Sequence, residues 1–209
     1  GSVIGLNREV DAATAEELSK LFVEAIIAPG YTEAGRRRLS EKKNLRLMRI
    51  EPSEAKPFPW DIKSIHGGLL LQEWDQFYLS DKDLKVVSNR APTSKEMEDL
   101  LFAWRVCKHV KSNAIVFAAA RMTLGVGAGQ MSRVDSVRLA AQKATRPLAG
   151  AVMASDAFFP FRDGLDEAAK VGIIAAIEPG GSVRDEEVIQ AANDHHMALI
   201  FTGIRHFRH

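Results

Sequence analysis

Cysteine is nearly absent: Cys107 stands alone among 209 residues, which excludes an intrachain disulfide and a multi-cysteine zinc site and fits a reducing cytosol. It reads as a core thiol. An excess of one charge sign is lacking too. The 28 Lys and Arg residues balance 27 Asp and Glu to a formal net charge of +1, so nothing drives nonspecific binding to nucleic acid or a membrane surface. Any anion site must be local. No basic segment precedes an apolar stretch at the N-terminus, and the longest apolar run, residues 114–120, is far too short to span a bilayer. These absences predict a soluble, cytoplasmic protein. The 46% hydrophobic content allows one large domain or two small ones, each with its own core.

Periodicity supplies the elements. A strand is expected at 3–6. Thr14 to Glu17 has the spacing of a capping box, and Leu18, Leu21, Phe22, Ala25 and Ile26 follow at helical intervals until Pro29-Gly30. The basic stretch 36–44 reads as a solvated helix face, and 45–50 as a short strand. Residues 51–64, with Pro52, Pro57 and Pro59, read as an irregular connector and a subdomain boundary. Gly67-Gly68 then leads into Leu69, Leu70 and Leu71, expected as a buried strand. A second capping box, Thr93 to Glu96, opens a helix with Met97, Leu100, Leu101 and Trp104 on one face. From Asn113 onward strands (114–118, 123–126, 150–153, 173–177, 198–202) alternate with helices (132–143, 165–171, 183–192). That order predicts a layered α/β domain with a mainly parallel sheet.

Four stretches invite a chemical reading. Gly125, Gly127 and Gly129 join a strand to a helix, either as a loop exposing backbone N–H groups to a ligand or as a plain tight turn; their spacing fits neither a dinucleotide fingerprint nor a P-loop. The loop from Ser155 to Gly164 sets Phe158, Phe159, Pro160 and Phe161 among Asp156, Arg162 and Asp163, at a strand's carboxyl end where open α/β sheets place ligands. It could form a slot for a flat heteroaromatic ring with Asp163 accepting from ring N–H groups, or tuck onto the core with Asp163 capping the next helix. Pro179-Gly180-Gly181-Ser182 repeats the strand-glycine-helix pattern, and Ser182 to Asp185 has capping-box spacing. At the C-terminus His206 and His209 lack the further ligands a metal needs, so an arginine pairing with phosphate is the stronger reading of that segment. Lys108 and His109 close the Thr93 helix, where cations suit the negative end, and neighbours on a helix diverge by about 100°. Asn113, just before a buried strand, carries an amide able to donate to and accept from a ligand amide.

Taken together, KSNAIVF, VGAGQMSRVDSVR, AVMASDAFFPFRDG, PGGSVRDEEVI and FTGIRHFRH, with EAIIAPGY and KKNLRL earlier, closely resemble the carboxyl-terminal part of the AICAR transformylase domain. In that family this domain is joined to an inosine monophosphate cyclohydrolase half. The resemblance implies transfer of a formyl group from 10-formyltetrahydrofolate to the AICAR nucleotide in purine (IMP) biosynthesis. It implies paired cytidine-deaminase-like α/β subdomains without the deaminase zinc, and active sites across a homodimer interface. Residues 1–60 would be the remainder of a first subdomain and its connector, and 61–209 a second subdomain with the ligand loops. By the same resemblance Asn113 is the catalytic residue, meeting the AICAR carboxamide with Arg133 and Phe158. Arg205 holds the nucleotide, and Glu24 lies near the ribose, reaching a partner subunit's site. Pro160, Phe161, Asp163 and Ser182 match the folate pocket, Gly1 a glycine beside the nucleotide, and Ser112 and Asp156 the surroundings of a monovalent cation.

The family's catalytic Lys-His pair sits in a Lys-His-Val-Ser/Asn-Pro-Ala/Cys-Gly motif upstream of the matching segments. Lys108-His109-Val110 is followed by Lys111-Ser112-Asn113, so it is a different element. The chain is therefore expected to begin partway through the first subdomain, without that pair or the cyclohydrolase half. Residues 118–125 and 143–150 depart from the family pattern in composition or length. A noncatalytic nucleotide-binding or interaction module is the alternative function. A deaminase is disfavoured because the His/Cys-x-Glu and Pro-Cys-x-x-Cys motifs are missing.

Overall fold

In a computed structural model the chain forms two compact units, Gly1–Trp74 and Asp75–His209, and residues 1–51, 59–80 and 83–208 are described. Pro52, Pro57 and His209 lie outside the described residues. In the first unit β1 (Val3–Gly5), β2 (Ala25–Ala28) and β3 (Arg46–Arg49) form a parallel sheet in that order, with α1 (Ala12–Ser19) and α2 (Glu33–Ser40) as crossovers. Val10, Ala15, Leu18, Val23, Ile26, Ala28 and Leu39 make its core.

Three expectations fail here. The first helix starts earlier and stops sooner than its periodicity predicts. Asp11, rather than Thr14, is the cap, its carboxylate accepting the Thr14 N–H at 2.8 Å, and the helix ends at Ser19. Ala25 to Ala28 belong to the central strand, with Ile26 and Ala28 buried on alternate positions, because pairing on both sides outweighs a helix-compatible spacing. Further on, β4 (Trp60–Ile65) and β5 (Gly68–Glu73) form an antiparallel hairpin, so the expected connector is a strand from residue 60. Leu69, Leu70 and Leu71 are not buried: they are 69%, 51% and 55% exposed. A two-stranded ribbon buries little by itself, and among the described residues its leucines stay exposed.

The second unit is a three-layer sandwich around a six-stranded sheet of order β6-β11-β10-β9-β7-β8. Its strands are β6 (Lys85–Val86), β7 (Ile115–Ala119), β8 (Met122–Gly127), β9 (Val152–Ser155), β10 (Ala175–Glu178) and β11 (Ala198–Phe201). Only β9, β10 and β11 run parallel to one another; β7 is antiparallel to both neighbours and β6 to β11, so the sheet is mixed and not mainly parallel. The tight β7–β8 turn is what a helix-strand alternation could not reveal. One face packs on α3 (Ser94–Cys107) through Leu100, Trp104 and Cys107 against Val116, Val152 and Ile177. The other face packs on α4 (Arg133–Gln142), α5 (Asp163–Lys170) and α6 (Asp185–Asp194), with Phe117, Met153, Phe159, Leu165 and Leu199 at its centre. Strand residues alternate between these two cores, as a sheet covered on both sides requires. The Thr93 capping box forms as expected: the hydroxyl accepts the Glu96 N–H and Glu96 accepts the Thr93 N–H.

The glycines of β8 serve packing. A Cβ on Gly125 would lie 2.2 Å from the Ala140 carbonyl oxygen and one on Gly127 1.9 Å from that of Ser136, so both let α4 press onto the strand. That favours close helix packing over the ligand-loop reading at these two positions. The β7–β8 turn places Ala120 and Arg121 at φ 51° and 54°, a left-handed conformation that side chains resist. Buried Asp99 of α3 holds it, accepting the Ala120 N–H at 3.0 Å and the Arg121 N–H at 2.6 Å. Asp99→Ala leaves both donors without that acceptor and should lower stability by about 1 to 3 kcal/mol in chemical denaturation, with Arg121→Gly recovering part of the loss.

Candidate active site

The site lies at the carboxyl ends of β9 and β10 and at the start of α4. A cavity of about 330 Å³ there brings together Asn113, Arg133, Phe158, Pro160, Phe161 and Asp163. Ser132 caps α4, its hydroxyl accepting the Asp135 N–H at 3.2 Å, which makes Arg133 the first helical residue. Its guanidinium is only 8% exposed. It donates to Asn113 Oδ1 at 2.9 Å and to Ser155 Oγ at 3.1 Å, and it is paired with the buried Asp156 carboxylate. Asp156 Oδ1 also accepts the Ala114 N–H at 3.1 Å, which ties the pair to the start of β7. The Asn113 amide donates to the carbonyls of Gln130 (2.9 Å) and Met131 (3.3 Å), so its plane is set by the loop before α4.

The aromatic loop divides its labour. Phe159 turns into the core, whereas Phe158 and Phe161 face the cavity, each with an arginine over its ring: Arg205 at 4.7 Å from the Phe158 centroid and Arg184 at 4.7 Å from that of Phe161. Asp163 is the first residue of α5 and not its cap; Arg162 holds the cap position without a side-chain cap bond. The Ser182–Asp185 pair also differs from the expected box. Asp185 accepts the N–H groups of Gly181 (2.7 Å) and Ser182 (2.9 Å), and Ser182 Oγ accepts that of Arg184 (3.1 Å). These two loop amides are therefore spent on the chain's own carboxylate, which leaves Ser182 its hydroxyl as a donor. Glu24 belongs to the first unit, where it borders a cavity of about 460 Å³ with Lys42, Lys43 and Arg46. A Cβ on Gly1 would meet its Oε2 at 2.5 Å, so the Gly1 backbone lies against that carboxylate.

Lys108 and His109 border a separate cavity of about 350 Å³. They share it despite being adjacent on the chain, because α3 ends there and the backbone turns. Lys108 Nζ is held by Asp75 at 3.2 Å and by the Phe77 carbonyl at 2.9 Å, and Asp75 also pairs with the buried His206 ring, which packs on Trp104. Burial first, then Arg208 and Lys108, hold His109 below the ordinary imidazole range. The C-terminal segment is docked by the His206 N–H on the Asp156 carbonyl (2.9 Å) and by paired bonds between Ser112 and Arg208. Cys107 is fully buried, and desolvation pushes its thiol far up, as befits a core residue.

Glu178 escaped the sequence reading. It ends β10, fully buried; Oε2 accepts the Phe159 N–H at 2.8 Å, and Oε1 has no partner among the described residues. Burial raises its pKa to about 8, Asp185 adding to the shift while the Phe159 N–H and Arg133 oppose it. From its ordinary 4.5 up to about 8 the native state thus keeps a proton that the unfolded chain has released. Stability from this group falls as pH rises through that window, and the loss is complete above it. The available signal was a lone carboxylate closing the apolar run Ala175-Ala176-Ile177. Asp156 Oδ2 is the other buried side-chain oxygen without a partner among the described residues.

Aromatic walls beside a buried guanidinium, past the carboxyl end of β9 in an α/β fold, mark this cavity as a candidate ligand site. The family model described as the AICARFT/IMPCHase bienzyme matches residues 1–143, and the chain belongs to that family. The bifunctional purine biosynthesis protein PurH of Magnetococcus marinus is 58% identical over 221 residues, covering 100% of this chain and 42% of its own length. The chain thus spans less than half of that curated relative. A solved structure described as protein ybgI, of unknown function, covers 98% of this chain and 73% of its own at 14% identity and a TM-score of 0.23, a likeness too low to carry any argument. No helix among the described residues is long and apolar enough to cross a membrane.

Removing one half of the buried ion pair should cost more than removing both. Arg133→Ala leaves Asp156 uncompensated and should destabilise the chain by about 3 to 5 kcal/mol, and Arg133→Ala with Asp156→Ala should recover part of that in a double-mutant denaturation cycle.

Proposed function

We propose that this chain is the substrate-positioning part of a formyltransferase site that moves a formyl group from 10-formyltetrahydrofolate to the amine of the AICAR nucleotide. The observation that carries the reading is the convergence of Asn113, Arg133, Phe158, Pro160, Phe161 and Asp163 on one cavity from three separate stretches of sequence. In this reading Asn113 and Arg133 orient the carboxamide and its neighbouring amine. Arg205 takes the phosphate, and the slot of Pro160 and Phe161 holds the folate ring while Asp163 accepts from its N–H groups. Ser182 contributes its hydroxyl.

The amine of AICAR is a weak nucleophile because its lone pair is delocalised into the imidazole and carboxamide. Attack on the formyl carbon needs removal of an amine proton and stabilisation of a tetrahedral oxyanion. The Arg133 guanidinium, already oriented by Asp156 and Ser155, costs no reorganisation when it meets the carboxamide. Asn113 is held less firmly: its two donors rest on backbone carbonyls, and exchanging one of them for a ligand is the adjustment binding requires. Proton removal belongs to the family's Lys-His-Val-Ser/Asn-Pro motif, which this sequence lacks. The monovalent cation that the resemblance sets near Ser112 and Asp156 belongs to the same reading, supported by Asp156 Oδ2, a buried carboxylate oxygen without a partner among the described residues. Bound there, it would offset that oxygen's charge. The homodimer belongs to the same reading, with Glu24 reaching the partner subunit's site.

Two assays test this. The 209-residue chain should bind AICAR nucleotide yet transfer no formyl group by itself, and turnover by the isolated chain would overturn the assignment of the base. In the full-length enzyme Asn113→Ala should lower kcat/KM by roughly a hundredfold or more under conditions where the variant is still folded, beyond the stability loss of about 1 to 3 kcal/mol expected from removing one acceptor of Arg133. Near-normal turnover would remove Asn113 from the catalytic role. Nucleotide binding without transfer in the full-length enzyme would favour the noncatalytic module.

A further inference from the structure

The loop that walls the cavity hangs from one buried side chain. Phe159 sits at its centre, 1% exposed, between the cavity-lining Phe158 and Pro160. It is pinned twice. Its N–H donates to Glu178 Oε2 at 2.8 Å, and its ring fills the space where a Cβ on Gly164 would come within 2.4 Å, against the first turn of α5. A carboxyl placed here is poorly explained by stability alone. It is wholly buried at the end of an apolar strand, one of its oxygens is idle, and an apolar side chain of the same volume would avoid the desolvation cost. What an apolar side chain would not do is accept the Phe159 N–H, a buried donor that needs a partner. The charged groups that bear on the carboxyl are Asp185, at the start of α6, and Arg133, at the start of α4.

We infer that Glu178 is a positioning residue for the ligand cavity: by accepting the Phe159 N–H it fixes the loop so that Phe158 and Phe161 stand where a flat heteroaromatic ligand is held. It does not touch the ligand. The inference rests on the proposed reading of the cavity as a folate and nucleotide site, and it adds a residue and a pH response to that site. In its neutral form the carboxyl offers a carbonyl oxygen to Phe159 and leaves a hydroxyl at the idle position. Ionisation leaves a desolvated charge next to the like-charged Asp185, which the Phe159 N–H and Arg133 offset only in part, and the charge is relieved by drawing water in at the idle oxygen. The loop then loosens, and ligand affinity falls as pH rises through about 8. A glutamine reproduces the neutral form, with a carbonyl for Phe159 and no titration. A methionine keeps the length and removes the acceptor.

The test combines amide hydrogen exchange at Phe159 with the dissociation constant for 10-formyltetrahydrofolate, measured on the wild-type chain, Glu178→Gln and Glu178→Met across neutral to alkaline pH. Glu178→Gln should keep Phe159 protected and bind as the wild type does at neutral pH, without the alkaline loss. Glu178→Met should lose protection at Phe159 while β10 and β11 stay protected, and should bind about tenfold more weakly. A Met variant that protects Phe159 and binds like the wild type overturns the inference. Should the Met variant not fold, the pH profiles decide: identical exchange and binding profiles for wild type and Glu178→Gln overturn it. If the wild type binds no folate, the proposed function fails by itself, and exchange at Phe159 in the variants still decides the role of Glu178.

Discussion

Arg133 carries a full positive charge into a place where it is 8% exposed, and the site is organised around keeping that charge satisfied. Asp156 supplies the counter-charge from the end of β9, Asn113 supplies an acceptor from the segment before β7, and Ser155 adds a hydroxyl. Ser155 and Asp156 come from the end of β9 and Asn113 from the approach to β7, so the cluster fixes the relative positions of these two and the start of α4. A buried pair of this kind is weak evidence for stability, since well-packed apolar residues often do as well. Its value lies in orientation: a planar fork held on two sides presents its remaining edge to the cavity in one direction.

Packing then makes room for the pair. Gly125 and Gly127 let α4 settle against β8 at a distance no side chain would allow, which brings Arg133 to the sheet's edge. Gly164 plays the matching part for α5, where it accepts the Phe159 ring and leaves Phe158 and Phe161 turned outward. Both arginine-over-phenylalanine contacts lie on this loop, so the aromatic faces are already electrostatically engaged on one side.

Much of this could be read from the sequence where local chemistry decides. The Thr93 to Glu96 box, the alternation of strand and helix after Asn113, and the aromatic loop at a strand's carboxyl end all reappear in three dimensions. Resemblance, rather than spacing, picked out Arg133, whereas Phe158 already stood out in the aromatic loop, and the structure gathers both with Asn113 and Asp163. The misreadings arose where tertiary context decides. Ala25 to Ala28 have helix-compatible spacing, but sheet pairing claims them. Leu69 to Leu71 look like a buried run because composition says nothing about whether a covering layer exists. The direction of β7 depends on a two-residue turn held by Asp99, a contact from 21 residues upstream that no local pattern announces. Glu178 was invisible for the same reason, since its partner Phe159 is brought to it only by the sheet.

The central claim is that one cavity, built on the Arg133–Asp156–Asn113 cluster, receives the nucleotide. Backbone amide chemical shifts recorded while AICAR nucleotide is added to the chain test it most directly. The account predicts that the largest changes fall at Asn113, Arg133, Phe158 and Arg205. Changes confined to the Lys108–His109 cavity or to Lys42, Lys43 and Arg46, with the Arg133 cluster silent at saturation, would contradict it.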